Sequence, residues 1–389
     1  CNEGFVMVLA VQNELKKNSS NVSYDIHAVL ENGYVQIVSG TNTRLDLPNL
    51  WLRDNCLCDE CRAVETEEKL FILSGVSHDL APSMIYLTDG VLFIEWPDGH
   101  QSDYVLADIL ELSKQRHAPS ISWKKEFQPK YVDWSCFLAD DTIALEALTA
   151  FLQTGVMVID GAPNQPSSLE LLASRLGPIR EVLFDRIHNV CLETRVYNVA
   201  HTALALPPHN DFASYSFPPS AQALHMLENG AEKGRSIILD AWAVAEKIRQ
   251  QRPEFFATLC DFAVPFRQFD EDNETYAVEP IIKCDSGGNI ISVRFSNQLM
   301  QAIDPMRTGV NDFYQAYHCL CCHMTDSDNH VKFRLEGGHI LLVAAHRVLH
   351  AREAFVPSGK RHLQDAYFEL DNIANKVITL NKYKAALYD

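Results

Sequence analysis

Between about Tyr24 and Tyr104 the chain alternates short β-prone runs, Tyr34–Val38, Met84–Leu87 and Val91–Trp96, with the turn signals Asp89-Gly90 and Pro97-Asp98-Gly99. This pattern predicts a small β domain over residues 24–113. The polar, proline-containing stretch from Lys114 to Pro129 then reads as a linker to a larger domain over 130–385. There the apolar positions of Thr142–Leu152 recur at helical spacing, and Val156–Ile159 is a compact strand closed by Asp160-Gly161. Ser167 and Ser168 are placed to cap a helix running through Leu176 and ending at Gly177-Pro178. Further strands are expected at Ser236–Leu239 and His339–Ala345, with a helix at Ala241–Gln250. Strands outnumber helices after Val190 and have irregular spacing, so the fold class is mainly β with helices. A sandwich or jelly roll fits this order better than a βαβ array.

The 389 residues are 47% hydrophobic, enough for one large core or two smaller ones. Lys and Arg total 33 against 51 Asp and Glu, a net charge of -18, so a nucleic-acid backbone or an anionic membrane surface would be repelled. A small-molecule substrate is the better expectation. No apolar run approaches the roughly 20 residues a spanning helix needs. Phe5–Val11 is too short and lacks the basic flank of a signal peptide. The 11 cysteines form no regular disulfide framework, which argues for reduced thiols and a cytoplasmic setting.

Reduced thiols raise the question of metals. Cys56-Leu57-Cys58-Asp59-Glu60-Cys61 places three sulfurs within six residues, where one tight turn can present them to a single tetrahedral ion. His100, at the turn after Trp96, is the candidate fourth ligand of a structural zinc site, with His78 as its competitor. A second cluster, His318 to His323, lies in Val310–Met324, whose apolar residues have helical spacing. Neighbours on a helix point in different directions, so this cluster is read as core packing.

His209-Asn210-Asp211 puts an imidazole and a carboxylate on the same face of an extended chain. A β-prone run ending at His350 supplies a second imidazole, and Arg361 follows eleven residues later as an anion clamp. Two His and one carboxylate on one face of an octahedron leave three positions open, the requirement of a non-haem Fe(II) oxygenase that binds a bidentate 2-oxo acid together with O2.

Trp51-Leu52-Arg53-Asp54-Asn55-Cys56, Trp96-Pro97-Asp98-Gly99-His100, His209-x-Asp211, Pro218-Pro219 with Gln222-x-Leu224-His225, and Arg347 through His350 to Arg361-His362-Leu363 together resemble the γ-butyrobetaine and trimethyllysine dioxygenases. The resemblance covers about Leu47 to Asp371. It implies a double-stranded β-helix (jelly roll) catalytic domain behind a small N-terminal zinc-binding β domain, and usually a homodimer. Its cofactors would be Fe(II), 2-oxoglutarate and O2, with structural Zn(II) and ascorbate as a supporting reductant.

By this resemblance His209, Asp211 and His350 hold iron, and Cys56, Cys58, Cys61 and His100 hold zinc. Arg361 binds the distal carboxylate of 2-oxoglutarate, while Asn198 and Leu224 line the cosubstrate or substrate pocket. The cage for a trimethylammonium head would be Phe184, His188, His201 and Tyr367, with two His where the family's quaternary-amine enzymes have Trp and Tyr. Arg294 falls where the γ-butyrobetaine enzyme has an Asn on the substrate carboxylate, and is expected to grip an acidic tail. This resembles the hydroxylases of 2-trimethylaminoethylphosphonate within the same family.

The implied activity is hydroxylation of an unactivated C–H in a small zwitterion, a phosphonate or a betaine, with release of succinate and CO2. The rival readings are a γ-butyrobetaine hydroxylase of carnitine synthesis and a non-catalytic, zinc-stabilised binding relative. Zinc hydrolase chemistry at the same triad leaves the Arg361 clamp without a purpose.

Overall fold

The computed structural model describes residues 26–39, 43–112, 119–183, 185–191, 202–270 and 272–386. It divides the chain into two compact units, Cys1–His117 and Ala118–Asp389.

The first unit holds two three-stranded antiparallel sheets. One comprises Ile26–Glu31, Tyr34–Ser39 and Thr43–Pro48; the other comprises Met84–Thr88, Val91–Glu95 and Gln101–Val105. The second sheet turns at Asp89-Gly90, where both residues have positive φ (51° and 77°), the geometry a two-residue hairpin demands. Alternate side chains meet in one core containing Val35, Ile37, Leu52, Ile85, Leu92, Ile94 and Trp96. Trp96 settles its buried N–H on Ser102 Oγ at 2.9 Å.

In the second unit a six-stranded sheet has the order Lys130–Asp133, Val156–Asp160, Ile340–Ala344, Ala221–Asn229, Arg361–Phe368, His188–Cys191. A four-stranded sheet has the order Leu206–His209, Val348–Arg352, Ser236–Asp240, Val331–Phe333. Only the first pair of the larger sheet is parallel among the strand pairs described. Period-two alternation divides the layers. Val156, Val158, Leu341, Val343, Leu224 and Leu363 face the inter-sheet core with Ile238 and Val348 of the smaller sheet. Met157, Ile159, Leu342, Ala223, Ala366 and Phe368 face outward, onto the helices Asp141–Thr154 and Leu370–Ala386. Nonconsecutive neighbours across both sheets make this the jelly roll expected. The helices Ala241–Gln251, Pro253–Asp261 and Val310–Thr325 enclose a third core around Phe266 and Phe313.

Two local expectations fail for identifiable reasons. The described part of the expected linker is packed onto the second unit: Trp123 is buried, stacks on Phe127 and donates to Thr154 O at 2.7 Å, while Arg347 reaches Ile121 O at 2.6 Å. The helix expected through Leu176 is two short pieces, Ser168–Leu171 and Ala173–Leu176. Ser167 makes no capping bond, and Ser168 Oγ donates instead to Pro163 O at 2.7 Å. Aspartates cap other helices: Asp140 accepts from Thr142 and Ile143, and Asp240 from Trp242 and Ala243. No helix among the described residues is long and apolar enough to cross a membrane.

Candidate active site

The edge strand Leu206–His209 and its neighbour Val348–Arg352 pair at two of the catalytic candidates. His209, ending Leu206–His209, lies opposite His350 on Val348–Arg352, and the two rings stand 4.3 Å apart between centroids. Asp211 follows one turn later, with its Oδ1 at 3.4 Å from His209 Nε2 and its Oδ2 at 3.9 Å from His350 Nε2. One ligand atom from each residue lies within 4.8 Å of the other two, the spacing of a metal site. His209 Nδ1 sits 2.9 Å from Pro207 O and donates to it, which turns Nε2 inward.

Burial works against charge on Asp211, but its hydrogen bond with His209 and the positive potential of both imidazoles hold its carboxyl below the usual range. His350 is lowered too, to about 4, by burial and by His209 beside it, whereas at His209 burial is outweighed by the hydrogen bond with Asp211 and its charge, which raise the imidazole. An anionic carboxylate and a neutral imidazole are the forms in which these groups bind a metal. The donor set thus suits the ion the residues imply.

Two cavities open on either side of this triad. The smaller, of about 80 Å³, is bounded by Gln222, Leu224, His350, Arg352 and Arg361. Alternation along Val348–Arg352 and Arg361–Phe368 turns both arginines inward. Arg361 is buried, its Nε has no hydrogen-bond partner, and its contact is a cation–π approach to Phe355 at 5.4 Å. Burial, with Arg352 and Arg334 nearby, lowers its guanidinium to about 10. A buried cation with an unpartnered donor at the end of a narrow cavity is built to receive an anion. Leu224 lines the same cavity with an apolar side chain.

The larger cavity, of about 430 Å³, is lined by His188, Phe212, Ser296, Gln298, Asp365 and Tyr367 among others. His188 and Tyr367, expected in a substrate cage, both lie here. Phe184, Asn198 and His201 lie outside the described residues. Arg294 departs from expectation and lines neither cavity. Its buried guanidinium donates to the carbonyls of Ala213, Tyr215 (2.6 Å) and Ser216 (3.3 Å). It is a staple for the loop after Asp211. Asn210 has a similar task, donating to Val293 O and Ala345 O at 2.6 and 3.0 Å while its Oδ1 accepts from Phe295 N at 2.8 Å.

Sequence reasoning missed Gln222, Arg352 and Asp365. Gln222 Nε2 lies 2.7 Å from Asp211 Oδ2 and Tyr367 OH 2.9 Å from it, so these two orient the Asp211 carboxylate. A signal existed: Arg361, Leu363, Asp365 and Tyr367 are spaced by two on one strand, so finding one inside places all four.

In the N-terminal unit, Cys56, Cys58, Cys61 and His100 form the second metal-competent group. The three sulfurs stand 3.3, 3.6 and 3.6 Å from His100 Nε2, and Arg53 Nη1 reaches Cys61 at 3.2 Å. His78 is not part of this group. In the helix Val310–Thr325, Phe313, Tyr317, Leu320 and Met324 are buried, Cys322 and His318 are exposed, and no third ligand joins them among the described residues.

Residues 117–367 match the family model described as taurine catabolism dioxygenase TauD, TfdA family, and residues 26–109 match gamma-butyrobetaine hydroxylase-like, N-terminal. The chain is 32% identical over 345 residues to a gamma-butyrobetaine dioxygenase of Pseudomonas sp. (strain AK-1), covering 86% of this chain and 90% of the relative. It is 27% identical over 352 residues to the mitochondrial trimethyllysine dioxygenase of Mus musculus, covering 87% and 83%. A crystal structure of a taurine dioxygenase from Burkholderia xenovorans aligns at a TM-score of 0.49 and 12% identity, covering 64% of this chain and 89% of that one.

Proposed function

Because the chain belongs to the taurine catabolism dioxygenase TauD, TfdA family, and is a 2-oxoglutarate-dependent non-haem iron dioxygenase, we propose that it hydroxylates an unactivated C–H bond of a small substrate with a trimethylammonium or ammonium head and an acidic tail. The observation that carries this reading is the triad's position between two cavities, one narrow and ending on the unpartnered Arg361, the other wider and partly aromatic.

His209, Asp211 and His350 would hold Fe(II). Bound there, the ion supplies activation of O2 coupled to decarboxylation of 2-oxoglutarate to succinate and CO2, with the second oxygen atom delivered to the substrate. The residues themselves do the positioning. Arg361 offers the planar fork that matches a carboxylate, Leu224 packs against the apolar stem of the cosubstrate, and Gln222 and Tyr367 fix Asp211. The wider cavity holds the substrate with one C–H aimed at the triad and the bulk of water excluded. Cys56, Cys58, Cys61 and His100 would hold a structural zinc.

Arg294 is committed to backbone carbonyls, and Arg267, which lines the wider cavity, is bonded to Glu274, so neither guanidinium is offered to a phosphonate di-anion among the described residues. Together with the 32% identity to a gamma-butyrobetaine dioxygenase, this favours a betaine with a carboxylate tail. The test is to mix anaerobic protein, Fe(II) and 2-oxoglutarate with γ-butyrobetaine, Nε-trimethyllysine, 2-trimethylaminoethylphosphonate or taurine, admit O2, and measure succinate. Substrate-dependent succinate with a trimethylammonium compound is expected, γ-butyrobetaine foremost. Succinate with taurine alone, or with none of the four, overturns the reading.

A further inference from the structure

Asp365 is an anomaly in the inter-sheet layer. It stands on the inner face of Arg361–Phe368, opposite Leu224, is 4% exposed, and borders both cavities. Its Oδ2 lies 3.0 Å from Tyr367 OH and 3.2 Å from Gln222 Nε2, yet both of those donors also reach Asp211 Oδ2. Tyr367 has one hydroxyl hydrogen, so it cannot serve both carboxylates at once. Asp365 Oδ1 has no hydrogen-bond partner, and the nearest cationic candidate is His188 Nδ1 at 3.4 Å.

The rest of the cavity offers little compensation. Its ionisable lining residues among those described are His188, His209, Asp211, Arg267, Asp270 and Asp365. Arg267 already grips Glu274 with two bonds, at 2.8 and 3.0 Å. A buried carboxylate that shares its donors, and whose other oxygen faces only the His188 imidazole at 3.4 Å, is under-compensated, and a full positive charge beside it is what relieves that state. Next to it the Tyr367 ring stands edge-to-face with Phe212 at 5.0 Å, so an aromatic surface and a negative charge share one corner of the cavity. That pairing suits an alkylated ammonium, which needs charge and apolar contact together.

We propose that Asp365 is the counter-charge for the substrate's cationic head, seating it against Tyr367 and His188 at the inner end of the wider cavity. The inference rests on the hydroxylase reading for what the head belongs to, but the binding it predicts is measurable without turnover. Asp365 is thereby a specificity-determining residue: it sets how strongly the protein prefers a cationic head over an uncharged one of the same shape.

The test compares γ-butyrobetaine with 5,5-dimethylhexanoate, in which carbon replaces the quaternary nitrogen, by isothermal titration into anaerobic protein loaded with Fe(II) and 2-oxoglutarate. The wild type is expected to bind the cation tighter than the isostere by roughly 10- to 100-fold, the scale of one charge pair a few ångströms apart at a partly solvated site. Asp365→Asn, which keeps the shape, should bring the two affinities within about threefold. Asp365→Glu should restore part of the preference, and Tyr367→Phe, which keeps the carboxylate, should retain discrimination. Circular dichroism and melting establish that each variant is folded. If the wild type binds neither ligand or both equally, or if folded Asp365→Asn keeps the full preference, the assignment is wrong. If Asp365→Asn fails to fold, Asp365→Glu decides: loss of preference in both Asp365→Glu and Tyr367→Phe overturns the proposal, and retention in either supports it. Admitting O2 to the same samples separates the two claims, since discrimination without succinate keeps Asp365 and removes the hydroxylase reading.

Discussion

Arg294 and Arg361 are both buried arginines singled out by sequence, and their surroundings give them opposite tasks. Arg294 is satisfied within the chain by three carbonyls, so its replacement harms the fold before it harms binding. Arg294→Met is expected to lower stability by about 2–4 kcal/mol, because it leaves buried carbonyls unpaired and loosens the loop after Asp211. A denaturant midpoint measures that loss, and the ratio of affinities for carboxylate- and phosphonate-tailed betaines should not change. Arg361 has no such internal partners, and its Nε is unpaired. Arg361→Ala should therefore leave the melting temperature nearly intact and raise the 2-oxoglutarate requirement roughly 30-fold or more, from the loss of about 2 kcal/mol of charge-assisted hydrogen bonding. An unchanged requirement for 2-oxoglutarate would remove Arg361 from the site. Sequence alone could not separate the two, since the carbonyls that hold Arg294, those of Ala213, Tyr215 and Ser216, are distant from it in the chain and meet it only in the fold.

At the scale of elements, legibility followed the strength of the local pattern. The run Val156–Ile159 is observed as Val156–Asp160, Ser236–Leu239 as Ser236–Asp240, and Thr142–Leu152 as the helix Asp141–Thr154, because burial and periodicity point the same way in each. The helix start at Ser167 and Ser168 was misread because Ser167 makes no capping bond and the Ser168 hydroxyl is taken up by Pro163 O, and the 119–129 segment because tertiary packing of Trp123 overrode its polar composition. The triad was legible because its ligand types are rare in combination. The supporting shell of Gln222 and Asp365 was not, since it exists only once strands distant in sequence pair.

The strand Ala221–Asn229 also carries a liability on its outer face. His225 is fully buried beside Ile340 and Gln364, and neither ring nitrogen has a hydrogen-bond partner. Burial first, then the charge of His362, depresses it to about 4. Its folded value lies below its unfolded one near 6.5, so the unfolded chain binds the extra proton and stability falls as pH drops from about 6.5 toward 4. His225→Leu is expected to stabilise by about 1 kcal/mol at pH 7, because it removes unpaired donors and acceptors. It should also flatten the acid limb of stability over that window. Urea midpoints at pH 7 and pH 5 for both proteins would show it, and a steeper acid limb in the variant would contradict it.

For the whole molecule, the net charge of -18 opposes long-range attraction of anions, which raises the question of how an acidic chain handles an anionic cosubstrate. Positive charge is concentrated locally, with Arg361 inside the narrow cavity and Arg352 and Arg334 close enough to act on it. The N-terminal unit faces a different problem, since two three-stranded sheets and one cluster around Trp96 make a small core. Three cysteine sulfurs crowd His100; burial pushes the Cys61 thiol up to about 11, whereas at Cys58 burial is outweighed by hydrogen bonds from Cys56 and the backbone, which lower the thiol, so the free cluster does not ionise as a set. A dication would resolve this by binding the thiolates, and its binding free energy would then become folding free energy for the unit. The protein should therefore carry one zinc per chain that survives dialysis, measured by elemental analysis. Cys58→Ser should lose it, while Cys322→Ser on the exposed face of Val310–Thr325 should not. Because Trp96 is fully buried in the N-terminal core, loss of zinc should red-shift tryptophan emission and open residues 26–109 to proteolysis. Full zinc content in Cys58→Ser, or a protease pattern unchanged after its loss, would show that the small domain does not depend on the metal.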